Sequence, residues 1–94
     1  MRFNKYESVV ILSPKITQKA KRTFLEQVSP YMKYMKIEEL GIKKLAYTVL
    51  DHDEGDYVVF RYCGNSRQNK KLENFYKAKK GKELLKYIIV SRED

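Results

Sequence analysis

Four stretches of the chain carry the apolar pattern of strands. The first covers residues 6–12, where Val9-Val10-Ile11-Leu12 is apolar on both faces and indicates a central position in a sheet. The second covers residues 35–50, the third residues 57–63 and the last residues 84–90. In the third stretch, alternation places Val58, Phe60 and Tyr62 on one face and Tyr57, Val59 and Arg61 on the other.

A helix is predicted between the first two strands. Thr17 is a suitable N-cap. Apolar residues then recur every four positions, as one helical face requires: Ala20, Phe24, Val28 and Met32. Pro30 cannot continue a helix without losing a hydrogen bond and creating a clash, so we expect the helix to end near Ser29 or to kink there.

A second helix is predicted after the third strand. Asn65 or Ser66 can cap it, and Leu72, Phe75 and Tyr76 have the spacing of a buried helical stripe. Gly81 follows as a stop signal.

The resulting order, β-α-β-β-α-β, predicts an α+β fold of the ferredoxin-like type. Residues 51–56 form a polar turn that joins the second and third strands as an antiparallel hairpin. Right-handed crossovers place both helices on one face of a four-stranded antiparallel sheet. The first and third strands are then central, and the second and fourth lie at the edges.

The second strand carries an unusual density of charge. Glu38-Glu39 and Lys43-Lys44 flank Gly41 within an otherwise apolar pattern. Charged side chains suit an edge strand, where they discourage unwanted pairing of exposed backbone groups. A glycine inside a strand often marks a bulge. This strand is therefore predicted to be an edge that a partner protein uses.

Size and charge narrow the class of protein. The 94 residues suit a single domain, residues 1–94, with little room for an enclosed active site. The formal net charge is +8 at pH 7. Such an excess on a small domain favours a polyanion partner, most simply nucleic acid.

The sequence offers no constellation for catalysis. Cys63 is the only cysteine, which excludes an intramolecular disulfide and a four-thiolate zinc site. His52 is the only histidine and lies in a polar turn without a partnered acid or nucleophile. The acidic residues of 51–56 do not follow the calcium-loop spacing. We expect no enzyme activity, no metal, no cofactor and no small-molecule substrate.

No secretory signal or membrane-spanning segment is expected. The N-terminal residues lack a long apolar run, and no stretch approaches the roughly 20 apolar residues that a spanning helix needs.

Basic residues near the end of the second helix and along the last strand are the candidates for RNA contact. They would form one phosphate-binding strip if they met along a rim of the sheet. The candidates are Arg2, Lys79, Lys80, Lys82, Lys86 and Arg92. Cations in the last helical turn also complement the helix dipole, which is a purely structural alternative for Lys77 and Lys79.

The open sheet face does not carry the signature of an RRM domain. The third strand of an RRM stacks bases on aromatic residues at fixed offsets, and here Asp56 stands where an aromatic is required. Val9, Ile11, Tyr57 and Val59 instead suggest an apolar patch for docking a protein.

Four segments resemble the bacterial ribosomal small-subunit protein six family. The most specific is residues 38–47, EELGIKKLAY, which is similar to the family's strongest motif nearly residue for residue. Lys5-Tyr6-Glu7, Leu12-Ser13-Pro14 and residues 85–90 support it. Thr48, where many members have proline, Pro30 and the basic segment 79–82 depart from the family pattern.

The resemblance implies a structural role in the small ribosomal subunit, in a cytoplasmic or organellar ribosome. It implies binding of 16S-type rRNA together with ribosomal small-subunit protein eighteen. It places Glu38, Glu39, Lys43 and Lys44 at the contact between the two proteins, and the open-face residues Tyr57 and Val59 extend that predicted interface. Two alternatives stay open: a free-standing RRM-like RNA-binding domain, and a small-molecule regulatory or enzymatic domain of the same fold.

Overall fold

A four-stranded antiparallel sheet carries two helices on one face. The computed structural model describes residues 4–49 and 51–92. The elements are, in chain order, β1 (Asn4–Leu12), α1 (Gln18–Val28), β2 (Lys33–Val49), β3 (His52–Gly64), α2 (Ser66–Lys79) and β4 (Leu84–Arg92). The strands lie in the order β2-β3-β1-β4, so β1 and β3 are central. This confirms the predicted ferredoxin-like fold.

Local signals set the limits of α1. The Thr17 hydroxyl accepts a hydrogen bond from the backbone N–H of Ala20 at 3.1 Å, which caps the helix as expected. At the other end, Pro30 lies in a single 3-10 turn, Ser29–Tyr31, that follows Val28 directly. The proline ends the α-helix without distorting it, because its ring occupies the first turn of the 3-10 segment.

The second helix is capped by the earlier of the two candidates. The side-chain oxygen of Asn65 accepts a hydrogen bond from the backbone N–H of Gln68 at 2.7 Å. The helix ends at Lys79, and Gly81 takes a φ of +90° in the turn that leads into β4. That backbone region favours glycine, which explains why the chain can reverse there.

The core lies between the sheet and the helices. Its fully buried members come from the inner faces of β1 and β3 and from the apolar stripes of both helices. They include Val10, Leu12, Val58, Phe60, Phe24, Val28, Leu72 and Tyr76. The predicted alternation of β3 is confirmed on this face, because Val58, Phe60 and Tyr62 are all buried.

The hairpin between β2 and β3 is longer and tighter than predicted. The expectation of a polar turn over residues 51–56 is wrong: β3 begins at His52, which pairs with Val49 of β2. Asp51 takes a φ of +65° at the reversal, a conformation that aspartate tolerates better than most residues. Extended pairing satisfies the backbone groups of this polar segment, so polarity alone was a poor guide to where the strand begins. The predicted end of β2 at Leu50 lies outside the described residues.

Candidate protein and nucleic-acid interfaces

The edge strand β2 presents its charged motif to solvent. Glu38, Glu39, Lys43 and Lys44 are all exposed, and β3 is the only neighbour of β2 in the described sheet. Gly41 lies between the two charge pairs at a break in the β2–β3 register and has a φ of +83°. The bulge twists the edge, which limits indiscriminate strand pairing.

Glu38 and Glu39 lie on opposite faces of the sheet, because successive residues of a strand alternate between the faces. Glu39 is opposite Val58 and forms an ion pair with Lys21 of α1 at 2.6 Å, on the helix side. Glu38 accepts a hydrogen bond from Arg61 at 3.1 Å, on the open side. A partner that covers this edge would therefore meet one carboxylate on each side of it.

Lys21 ties the edge strand to the helix layer. Its ammonium lies 2.7 Å from Asp56 as well as 2.6 Å from Glu39. Burial alone would lower the pKa of Lys21, but the hydrogen bonds and negative charge of Asp56 and Glu39 outweigh it and raise the pKa above its ordinary value. The charge of Glu39 is thus partly neutralised within the chain itself.

Large apolar side chains accompany the charges along β2. Five of them are exposed, which is unusual for such residues on one strand: Tyr34, Ile37, Leu40, Ile42 and Tyr47. An edge with this composition combines apolar contact area with charged groups that fix orientation, as specific protein interfaces do.

The predicted apolar patch on the open face is only partly available. Val59 and Ile11 are 7% and 8% exposed, so they contribute little contact surface, while Val9 and Tyr57 are half-buried. Alternation places Val59 on the face opposite the core, so we expected this residue to be accessible. Alternation gives the face on which a residue lies, but it does not show how far the neighbouring strands bury that residue.

The accessible apolar residues of the open face lie instead on β4. Ile88 and Val90 are 49% and 46% exposed. By register, Ile88 is opposite Val9 and Val90 is opposite Glu7, both on β1.

The structure does not bring the predicted RNA-contacting residues together in one strip. Lys79, Lys80 and Lys82 lie at the turn between α2 and β4, and Lys86 follows near the start of β4. Arg92 is at the opposite end of β4, roughly 20 Å from Lys86 given a rise of about 3.3 Å per residue. Arg2 lies outside the described residues.

One member of the lysine group also has a structural role. The Lys79 ammonium lies 5.7 Å from the centre of the Phe75 ring, a cation–π contact within the last turns of α2. Lys79 therefore has a contact within its own helix, whereas Lys80 and Lys82 are exposed in the turn.

A row of alternating charges crosses the open face at the Arg92 end of the sheet. Glu38 of β2, Arg61 of β3, Glu7 of β1 and Arg92 of β4 follow one another across all four strands. Arg61 donates to both Glu38 and Glu7, and Arg92 donates to Glu7, each at 3.1 Å. Hydrogen bonding to Glu38 is the main reason that the pKa of Arg61 is raised.

A basic cavity of about 340 Å³ opens beside this row. Four cationic side chains and an exposed tyrosine, Tyr34, contribute to its walls. The lining residues are Lys5, Tyr6, Tyr34, Lys36, Arg61, Tyr62, Cys63 and Arg92. Of these, only Arg92 was expected from the sequence to contact RNA.

The other residues of the cavity were missed because they are scattered along the chain. Lys5, Lys36 and Arg61 belong to β1, β2 and β3 and become neighbours only through strand register. A usable signal was the occurrence of Glu7 and Arg61 on the outward positions of the two central strands, where charge calls for a partner.

The described residues form neither a candidate metal site nor a membrane-spanning helix. Within residues 4–49 and 51–92, no group of three or more His, Cys, Asp or Glu residues is arranged to hold a metal ion. In the same part of the chain, no helix is long and apolar enough to span a membrane.

The fold and its surfaces define a small, basic, ferredoxin-like protein whose conspicuous features are an exposed charged edge and positively charged surfaces. The sequence model of the family described as Ribosomal protein S6 matches residues 5–91. The chain belongs to this family, as the resemblance of residues 38–47 predicted.

Individual relatives agree with the family match. The small ribosomal subunit protein bS6 of Thermotoga maritima is 31% identical over 78 residues, covering 77% of this chain and 61% of that protein. The protein of the same name from Thermoanaerobacter pseudethanolicus is 28% identical over 94 residues, covering 95% of this chain and 97% of that protein. The match therefore spans just under two thirds of the Thermotoga protein's length.

A solved structure shares the fold. The crystal structure of 30S ribosomal protein S6 from Thermotoga maritima superposes with a TM-score of 0.82 at 26% sequence identity, covering 97% of this chain and 89% of that chain.

Proposed function

We propose that the chain is a structural protein of the small ribosomal subunit that binds 16S-type rRNA jointly with ribosomal small-subunit protein eighteen. It acts by docking and charge neutralisation, not by catalysis, on a cytoplasmic ribosome. The observation that carries the proposal is the exposed β2 edge of a ribosomal protein S6 family member, with charge pairs on both sides of a bulge at Gly41.

The partner protein docks along β2 in this proposal. The edge offers backbone groups, exposed apolar side chains and the charges of Glu38, Glu39, Lys43 and Lys44. An edge strand with these features supports strand addition or side-chain docking by a partner of matching charge pattern. Tyr57, half-buried beside this edge, extends the surface, while Val59 contributes little because it is covered.

In this proposal, basic residues outside the β2 edge bind the rRNA. The lysines at the α2–β4 turn and Lys86 form one basic group, and Arg92 is assigned to a second contact. Arg2 stays a candidate on its sequence alone. Each lysine that neutralises a phosphate releases counterions, which makes binding strongly dependent on salt. Binding of the partner and of RNA at different surfaces lets both be held at once.

Charge reversal on β2 tests the protein contact. The variant Lys43→Glu, Lys44→Glu should lose binding to protein eighteen, measured by calorimetry in the absence of RNA, while its circular dichroism spectrum stays unchanged. The matched control is Lys70→Glu, Lys71→Glu, an adjacent pair of exposed lysines on α2 with the same change in net charge. Equal loss in both variants would mean that net charge, not the β2 edge, drives association.

Salt titration tests the RNA contact. For binding to small-subunit rRNA with protein eighteen present, replacing Lys79, Lys80 and Lys82 by glutamine should make the dependence of log K on log salt shallower. The expected change is about 0.7 to 0.9 for each phosphate that is no longer neutralised. Glutamine at Lys19, Lys70 and Lys71, which are exposed on the helices, controls for net charge. An unchanged slope in the first variant would remove the α2–β4 turn from the RNA interface.

A further inference from the structure

We infer that the basic cavity beside Tyr34 binds one unpaired nucleotide of an RNA strand, with the base stacked on the Tyr34 ring and the adjacent phosphate held by Lys36 and Arg92. The inference rests on the RNA-binding part of the proposed function and deepens it, because it assigns a separate site to a chemically defined ligand.

The backbone at Tyr34 forms a bulge and is strained. Between the register pairs Lys33↔Cys63 and Lys36↔Arg61, two residues of β2 stand opposite one residue of β3, which is the geometry of a bulge. Tyr34 takes a φ of +54°, a conformation that bulky residues rarely adopt. Bulges and strained residues of this kind are concentrated at sites where a side chain must be re-aimed for a function.

The Tyr34 ring is exposed to solvent. Tyr34 is 85% exposed, although its neighbour Met35 packs against the core. The bulge thus gives up the burial of a large aromatic side chain and presents it at the wall of a cavity. An accessible aromatic face is the surface on which single-stranded nucleic acids stack their bases.

Cationic side chains surround the Tyr34 ring. Four cationic side chains line the cavity, and two carboxylates, Glu7 and Glu38, contact its arginines. The carboxylates hold the two guanidinium groups in fixed positions, and the Lys36 side chain adds a further positive charge to the lining. A preorganised cationic wall beside an aromatic ring matches a base linked to a phosphate.

The size of the cavity selects the form of the ligand. At about 340 Å³ it is near the lower end of the range for small-ligand sites, so it admits a nucleotide but not a duplex. A paired base inside a helix has no free face to offer the ring, and the base must therefore be unpaired. An acidic peptide could use the cations but would leave the aromatic face without a function.

The test compares two single-stranded probes of equal length: oligo-adenylate and an abasic ribose-phosphate oligomer. Both carry the same phosphates, but only the first can stack. The wild-type protein should prefer oligo-adenylate by about 5- to 150-fold, the range that base–aromatic stacking gives. Tyr34→Leu should abolish this preference and Tyr34→Phe should retain it.

The matched control is Tyr47→Leu. Tyr47 is on the same strand and equally exposed, at 83%, but does not line the cavity, so the preference should persist. Lys36→Gln should weaken the binding of both probes to the same extent and make the dependence of log K on log salt shallower. Upfield shifts of the Tyr34 ring protons with oligo-adenylate, absent with the abasic probe, would report stacking directly.

Several outcomes would overturn the inference. Equal affinity for the two probes, an unchanged preference in Tyr34→Leu, or tighter binding of an oligo-glutamate peptide than of either probe would each do so. The ribosomal proposal fails separately, through loss of binding to small-subunit rRNA and protein eighteen. Binding to small-subunit rRNA and protein eighteen without a preference for oligo-adenylate would reject the nucleotide site alone. A preference for oligo-adenylate without that binding would reject the ribosomal role alone.

Discussion

The hydroxyl oxygens of Ser8 and Tyr76 lie 2.9 Å apart in the interior, and both residues are fully buried. This hydrogen bond joins the central strand β1 to α2 across 68 residues of sequence. It gives a buried serine on the inner face of β1 a hydrogen-bond partner, and the hydroxyl of Tyr62 also interacts with Ser8. Burial raises the pKa of Tyr76, while the hydrogen bond to Ser8 acts in the opposite direction.

Tyr76→Phe should therefore destabilise the protein by about 1–3 kcal/mol, because it leaves the Ser8 hydroxyl buried without that partner. Urea denaturation of Tyr76→Phe, Ser8→Ala and the double variant measures the coupling. The double variant should lose less than the sum of the two single losses, since removing both partners leaves no orphan. Additive losses would show that the two hydroxyl groups act independently.

Stability should fall at alkaline pH, whereas near neutrality the buried tyrosines stay protonated and their titration should have no effect on it. Burial raises the pKa of both Tyr62 and Tyr76 above the value of about 10 of the unfolded chain. Above pH 10 the unfolded state releases phenol protons that the folded state retains, so the free energy of unfolding decreases as pH rises. The raised pKa of Lys21 acts in the same direction, because its pairs with Asp56 and Glu39 are lost when the ammonium deprotonates.

Urea denaturation between pH 7 and pH 11.5 measures this effect. The decline should begin near pH 10, and Tyr76→Phe should show a shallower decline because one titrating group is removed. A stability that stays flat to pH 11.5 would contradict the assignment of these tyrosines as buried neutral groups.

Gly55 should not tolerate a side chain. A Cβ at this position would overlap with the Cγ2 atom of Ile11 on the neighbouring central strand. Gly55→Ala should cost about 1–3 kcal/mol by overpacking, measured by thermal denaturation. Gly64→Ala is the matched control at the other end of β3, where a Cβ would make only ordinary contacts at 3.5 Å or more, so it should be close to neutral. Similar losses in both variants would point to strand pairing in general as the cause.

Replacing Tyr34 by asparagine should stabilise the protein while weakening binding of oligo-adenylate. Asparagine accepts a positive φ more readily than tyrosine, and the exposed ring contributes little burial, so we expect a gain of about 0.5–1 kcal/mol. Tyr47→Asn is the comparison, because Tyr47 has no positive φ to relieve. It should leave stability unchanged or lower it. A loss of stability in Tyr34→Asn would show that the ring makes a stabilising contact.

The order of the elements was readable from the sequence because it depends on local interactions. Period-two alternation, the caps Thr17 and Asn65, and the stop at Pro30 each act within a few residues, and the structure confirms them. The boundaries of the hairpin were not readable, because the pairing of Val49 with His52 is a contact between strands that local polarity does not encode. The family was readable from four segments of the sequence, of which residues 38–47 are the most specific.

The sequence by itself determined the class of fold, the charge of the protein and the motif of its edge strand. Only the tertiary structure decided which side chains meet: that Glu38, Arg61, Glu7 and Arg92 form one row across the sheet, and that Arg92 lies far from the lysines with which it was grouped. It also decided that Tyr34 leaves the strand conformation to face a basic cavity. The physical reason is that register and bulges are properties of paired strands, so a one-residue shift on β2 changes every neighbour without changing the pattern of the sequence.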